Sequence, residues 1–190
     1  MPGLTSSQTV GPYFHLGLIR DGQSTLVQAG TKGERIAIKG LVTDGPGMPV
    51  TDAMIEIWQA NAAGRYDHPT DTQDKPLDPA FHGFGRAAVD QTGHYRFETI
   101  RPGAVPGRGN ALQAPHIAVT VFARGLLLHL NTRLYFAGEP LNDADPVLAL
   151  VPDEALRRTL IATPVAGAAI PTYRFDIRLQ GDGETVFFEI

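Results

Sequence analysis

The sequence predicts an all-β fold, a two-sheet antiparallel β-sandwich with long loops, an N-terminal arm and one short helix. Three observations carry that expectation. Gly (21) and Pro (15) punctuate the 190-residue chain at short, fairly regular intervals, as antiparallel sandwiches and barrels require. Between these breaks lie seven short runs of alternating or β-rich sequence, enough for two packed sheets. Only one stretch has helical character.

The predicted strands are Arg35 to Thr43, Ala53 to Gln59, Tyr95 to Ile100, His116 to Ala123, Arg133 to Phe136, Tyr173 to Leu179 and Thr185 to Glu189. The helix is predicted over Pro152 to Ile161, with Pro and acids in its first turn and Leu156 and Leu160 one turn apart. Residues 1–34 form an arm and lead-in ahead of the domain at 35–190. In the arm, Tyr13 and Phe14 follow Gly11-Pro12, an arrangement that fits packing on another surface. Residues 64–82 form a polar loop too long for a hairpin, a functional or interface loop.

Composition excludes several function classes. A net charge of −4 with scattered Lys and Arg leaves no basic footprint for nucleic acid or an anionic membrane. The absence of cysteine rules out disulfides, thiolate metal sites and Cys nucleophiles. No signal-like N-terminus and no apolar run approaching ~18 residues is present, so a cytoplasmic protein is expected.

The most informative segment is Ala114-Pro115-His116-Ile117-Ala118. In a strand, residues i and i+2 share a face, so His-x-His would aim two imidazoles at one ion; here Ala118 holds the second place. Asp143 and Asp145, beside Asn142 and Pro146, read as a solvated turn, and Trp58 reads as a core anchor. His15, His68, His82, His94 and His129 lack ligand-like spacing, and Gly107-Arg108-Gly109-Asn110 lacks the helix that a phosphate loop needs. Arg124 is a lone guanidinium between two apolar runs, and a turn residue pointing into water is its simplest description.

Taken in order, Trp58-Gln59-Ala60-Asn61 through Gly64-Arg65-Tyr66, Arg101-Pro102-Gly103, Ala114-Pro115-His116 and Thr132-Arg133-Leu134-Tyr135-Phe136 resemble the intradiol ring-cleaving dioxygenases. The arm Ser7-Gln8-Thr9-Val10-Gly11-Pro12-Tyr13 and the ending from Tyr173 through Phe188 narrow the likeness to the alpha chains of the protocatechuate-cleaving, two-chain members. That resemblance implies a non-haem ferric ion, Fe(III), held by two tyrosinates and two histidines of the beta chain, where anionic phenolates neutralise a hard cation. It aligns the ligand positions with Tyr66, Val105, His116 and Ala118, so two of four donors are gone and no iron is expected in this chain. It further implies αβ protomers in a larger oligomer, and cleavage of protocatechuate with O2 to 3-carboxy-cis,cis-muconate. Thr9, Gly11, Pro12, Tyr13 and Arg124 would wall the beta chain's pocket, Arg124 meeting the substrate carboxylate. A self-sufficient intradiol enzyme would need donors at 105 and 118, and a non-catalytic β-sandwich binding module would share the fold alone.

Overall fold

The computed structural model describes residues 17–109 and 111–189. Thr9, Gly11, Pro12 and Tyr13 lie outside them. Strand β1 (Arg35–Thr43) has the predicted bounds, because Ile36, Ile38 and Val42 alternate into the core while their neighbours face away. It pairs antiparallel along its length with β4 (His94–Ile100), from Arg35 opposite Ile100 to Leu41 opposite His94. A central group of three strands, β2 (Met54–Trp58), β7 (His116–Phe122) and β8 (Leu130–Phe136), is also antiparallel, with β3 (Phe84–Ala88) on the outer edge of β2.

The expected strand Tyr173 to Leu179 is instead two, β10 (Thr172–Arg174) and β11 (Ile177–Arg178), both parallel to β1. The break has a steric cause at Gly40, where a Cβ would stand 1.8 Å from the Phe175 carbonyl oxygen. The main chain of Phe175 crosses there, and its oxygen accepts the Tyr95 hydroxyl at 2.6 Å.

A short strand, β9 (Ile161–Pro164), pairs with β8 on one side and β10 on the other through two residue pairs each. The pairing path therefore runs β4, β1, β10, β9, β8, β7, β2, β3, one mostly β, curled sheet where two separate sheets were expected. Its ends are bridged by the lead-in: Arg86 donates its backbone N–H to Gln23, Glu98 donates to Ser24, and Leu26 donates to Glu98. The result is nearly closed and barrel-like, so both edge strands are largely protected. A separate two-strand ribbon joins β5 (Val105–Pro106) to β6 (Leu112–Gln113). The core inside the curl is built from Ile36, Ile38, Phe97, Ile55, Ile57, Ile117, Val119 and Leu134 among others, each contributing roughly 1.5–3 kcal/mol through burial.

Thr185 to Glu189 is not a strand. Only Phe188 pairs, with Asn131, because side-chain hydroxyls take the backbone groups of Val186: Thr132 donates to its carbonyl and Thr159 accepts its N–H. The predicted helix is present but shorter: α1 spans Glu154–Arg158, capped by the Asp153 carboxylate on the Leu156 N–H. Its predicted last residue, Ile161, opens β9. Among the described residues no helix is long and apolar enough to cross a membrane.

Asp145 overturns its reading as a solvated residue. It is 1% exposed, and its carboxylate accepts from the N–H groups of Ala114, Val147 and Leu148 and from the Tyr135 hydroxyl. A buried charge persists only where hydrogen bonds replace water, and here they fasten Ala114 and the turns after β8 to a second apolar cluster of Tyr135, Leu148, Val151 and Leu160. Asp145→Ala should cost about 2–4 kcal/mol, since several buried N–H groups lose their acceptor. Urea unfolding monitored by fluorescence measures this; a loss below about 0.5 kcal/mol, the usual effect of a surface change, would show that these bonds hold nothing.

Candidate functional site

Register decides what the outer face of the central strands presents. Trp58 lies opposite Ala118 on β7, and Ala118 lies opposite Arg133 on β8. His116 lies opposite Tyr135. Directly opposed residues of antiparallel strands project to the same side, so Trp58, His116, Ala118, Arg133 and Tyr135 share the face turned away from the main core. Trp58 is thus half-buried in a wall outside the core rather than a core anchor.

A loop and a ribbon complete the wall. After β2 the chain turns at Gly64, whose φ of +79° and position against the Ala104 carbonyl, 2.0 Å from where a Cβ would stand, leave room only for glycine. The Lys75 ammonium donates to the carbonyls of Gly64 and Ala104, holding this turn beside β5. Tyr66 follows, its ring stacked on Trp58 at 5.8 Å between centroids and its backbone N–H donated to Asp71 at 2.8 Å. The open cavity that results is lined by Trp58, Tyr66, Asp71, Gln73, Val105 and Pro106 among others. Burial raises the Tyr66 phenol above its ordinary range; Arg133 opposes the rise and Asp71 adds to it.

His116 is 5% exposed, and its Nδ1 lies 2.7 Å from the Ala114 carbonyl. A carbonyl can only accept, so Nδ1 carries the proton and Nε2 is the free lone pair. Burial is the main cause that drives the imidazole down to about 4, and Arg133 adds to it, against the Ala114 bond and Asp145. Burial likewise raises the Tyr135 phenol, assisted by Asp145. Sequence reasoning missed Arg133 and Gln113, which share a 2.6 Å hydrogen bond from Nη1 to Oε1. The alternation in Thr132-Arg133-Leu134-Tyr135-Phe136, with Leu134 inward, was the available signal.

Of the four aligned ligand positions, the structure brings Tyr66 and Val105 to one cavity and puts His116 and Ala118 on the adjoining face. Val105 and Ala118 offer no donor atom. One phenol and one imidazole beside a guanidinium do not fit a ferric ion, whose charge needs several anionic oxygens.

Arg124 stands elsewhere. His116 and Phe122 are the two ends of β7, roughly 20 Å apart at ~3.3 Å per residue, and Arg124 lies in the turn two residues beyond the far end. Its side chain is 81% exposed and pairs with Asp52 at 3.1 Å. It cannot reach its own chain's cavity. On the same hairpin tip Leu127 and Leu128 are about two-thirds exposed, at 66% and 64%.

The family model for a dioxygenase domain matches residues 9–181. The protocatechuate 3,4-dioxygenase alpha chain of Pseudomonas putida is 42% identical, over 97% of this chain and 96% of its own. That of Burkholderia cepacia is 43% identical, over 98% and 97%. This chain belongs to the intradiol dioxygenase family. The beta chain of the Burkholderia cepacia enzyme is equally similar, 43%, but over 80% of this intradiol dioxygenase chain and 67% of its own. Among solved structures, the dioxygenase domain of a Streptomyces sp. SirexAA-E fusion protein superposes with a TM-score of 0.64 at 28% identity, covering 92% of this chain and 97% of that one.

The depressed His116 imidazole has a consequence for stability. Below about pH 6.5 the unfolded chain takes up a proton on this residue that the folded chain refuses until about pH 4, so stability falls as pH drops through that window. The loss from this residue should approach about 3 kcal/mol. His116→Gln should flatten the pH dependence of urea midpoints between 6.5 and 4; parallel curves for the two proteins would contradict it.

Proposed function

We propose that this chain is the iron-free alpha subunit of a protocatechuate 3,4-dioxygenase, which cleaves protocatechuate with O2 to 3-carboxy-cis,cis-muconate in cytoplasmic aromatic catabolism. Fe(III) is held by a beta subunit, and this chain supplies part of the wall of the beta chain's pocket. The observation that carries the reading is the separation within one strand: a cavity lacking half its donors at one end, and an exposed guanidinium at the other, too far away to serve it. End-to-end likeness to alpha chains supports the same division of labour.

In this arrangement αβ protomers assemble into a larger oligomer. The arm places Thr9, Gly11, Pro12 and Tyr13 on the partner, Gly11 permitting close backbone approach and Pro12 stiffening the segment. Arg124 offers two parallel N–H donors to the ring carboxylate that distinguishes protocatechuate from catechol. Its present partner, Asp52, is half-buried, but the guanidinium itself stands in water, where an ion pair is worth little, so exchange for a substrate carboxylate carries a small penalty. The aliphatic tip at Leu127 and Leu128 gives the same hairpin apolar surface to bury on the partner. A self-sufficient dioxygenase is disfavoured by the missing donors at Val105 and Ala118.

Coexpression with a beta chain tests this. Activity, and one iron per αβ pair, should occur in the complex and be absent from this chain alone; turnover of protocatechuate by the isolated chain would refute the reading. In the complex, Arg124→Ala should raise KM for protocatechuate by the equivalent of ~1–3 kcal/mol. An unchanged KM would remove Arg124 from the pocket.

A further inference from the structure

Arg133 is a charged residue on the strand face that adjoins the cavity, in the same row as Trp58 and Ala118, and the proposed function does not use it. It stands directly across the ladder from Ala118, where opposed Cβ atoms lie ~4.5–5.5 Å apart. Its stem therefore passes beside the smallest side chain in the row. The guanidinium is anchored at the far side by the Gln113 Oε1 at 2.6 Å, and Gln113 belongs to β6, the ribbon partner of β5, which carries Val105. Arg133 is thus framed by Ala118 on its own sheet and by the ribbon that holds the other donor-free position.

Among the described residues Arg133 forms none of the ion pairs. The nearby acids are engaged: Asp71 accepts from the Tyr66 and Gln73 N–H groups and the Gln73 amide, and Asp145 accepts its four donors behind His116. The positive charge is nevertheless felt at both surviving donor residues, Tyr66 and His116.

We propose that Arg133 is the resident cation of the face between Ala118 and the ribbon: its stem passes Ala118, its guanidinium is held by Gln113, and its charge excludes a metal ion even when donors are restored at positions 105 and 118. Loss of two donors alone would leave a weak site; a fixed charge makes it a closed one. The inference concerns this chain's own wall and stands whichever partner the chain has.

The experiment compares the isolated chain as Val105→Tyr/Ala118→His with the same chain carrying Arg133→Gln or Arg133→Lys in addition. Each is exposed to ferrous iron in air, desalted, and read by iron content and by the visible band of iron-bound tyrosinate. The Gln variant should hold about tenfold or more iron than the double variant, with the band, since removing a like charge a few ångströms from a bound cation is worth at least that factor even near a protein surface. The Lys variant, still cationic, should stay as empty as the double variant. Equal iron in the double and Gln variants would overturn the proposal, as would a folded Gln variant without iron or a Lys variant that loads like Gln. Should the multiple variants fail to fold by circular dichroism, Arg133→Gln alone is titrated with Co2+ and the His116 ring signals are followed by NMR. Selective broadening in Arg133→Gln and none in the unaltered chain is required; no difference overturns the proposal.

Discussion

Everything distinctive about this molecule depends on the register between β2, β7 and β8. Period-two alternation sends Ile117, Val119 and Val121 into the main core and leaves His116, Ala118 and Thr120 on the other face. A slip of one residue would drive Arg133 into the core and turn Leu134 out, so the hydrophobic pattern enforces the pairing. Asp145 reinforces it at the entry to β7 by gripping the N–H of Ala114 from a turn 31 positions away. The polar wall is therefore specified by the apolar face behind it.

Much of this was legible in the residues. β1, β2 and β7 carry β-branched alternation strong enough to declare their ends within about a residue. β3 and β9 were missed for a physical reason: Phe84-Gly85-Arg86-Ala87-Ala88 has no β-branched residue, and Ile161-Ala162-Thr163-Pro164 is short and ends in proline, so both are strands because neighbours offer ladders. The division of Tyr173 to Leu179 follows from a crossing at Gly40, more than 130 residues earlier, which no local pattern announces. Asp145 shows the same limit. Its neighbours do mark a turn, but its burial is set by Ala114 and Tyr135.

The site was legible in another way. That two ligand positions lack donors follows from residue identity at Val105 and Ala118 and needs no coordinates. What replaces a metal's charge does need them, because Arg133 acquires its significance from the strand opposite and from Gln113 on a two-residue ribbon with no sequence signature. Trp58 is similar: its size favoured the core, while its position in the row gives it Tyr66 as a stacking partner.

The contact between Arg124 and Asp52 gives the hairpin tip a reversible tether. A pair whose guanidinium stands in water is screened within about a nanometre by ordinary salt, so little holds that group to its acidic neighbour. The strand's far end is thus moored by one water-facing ionic contact, whereas its beginning is clamped by a buried bond from the Ala114 N–H to Asp145.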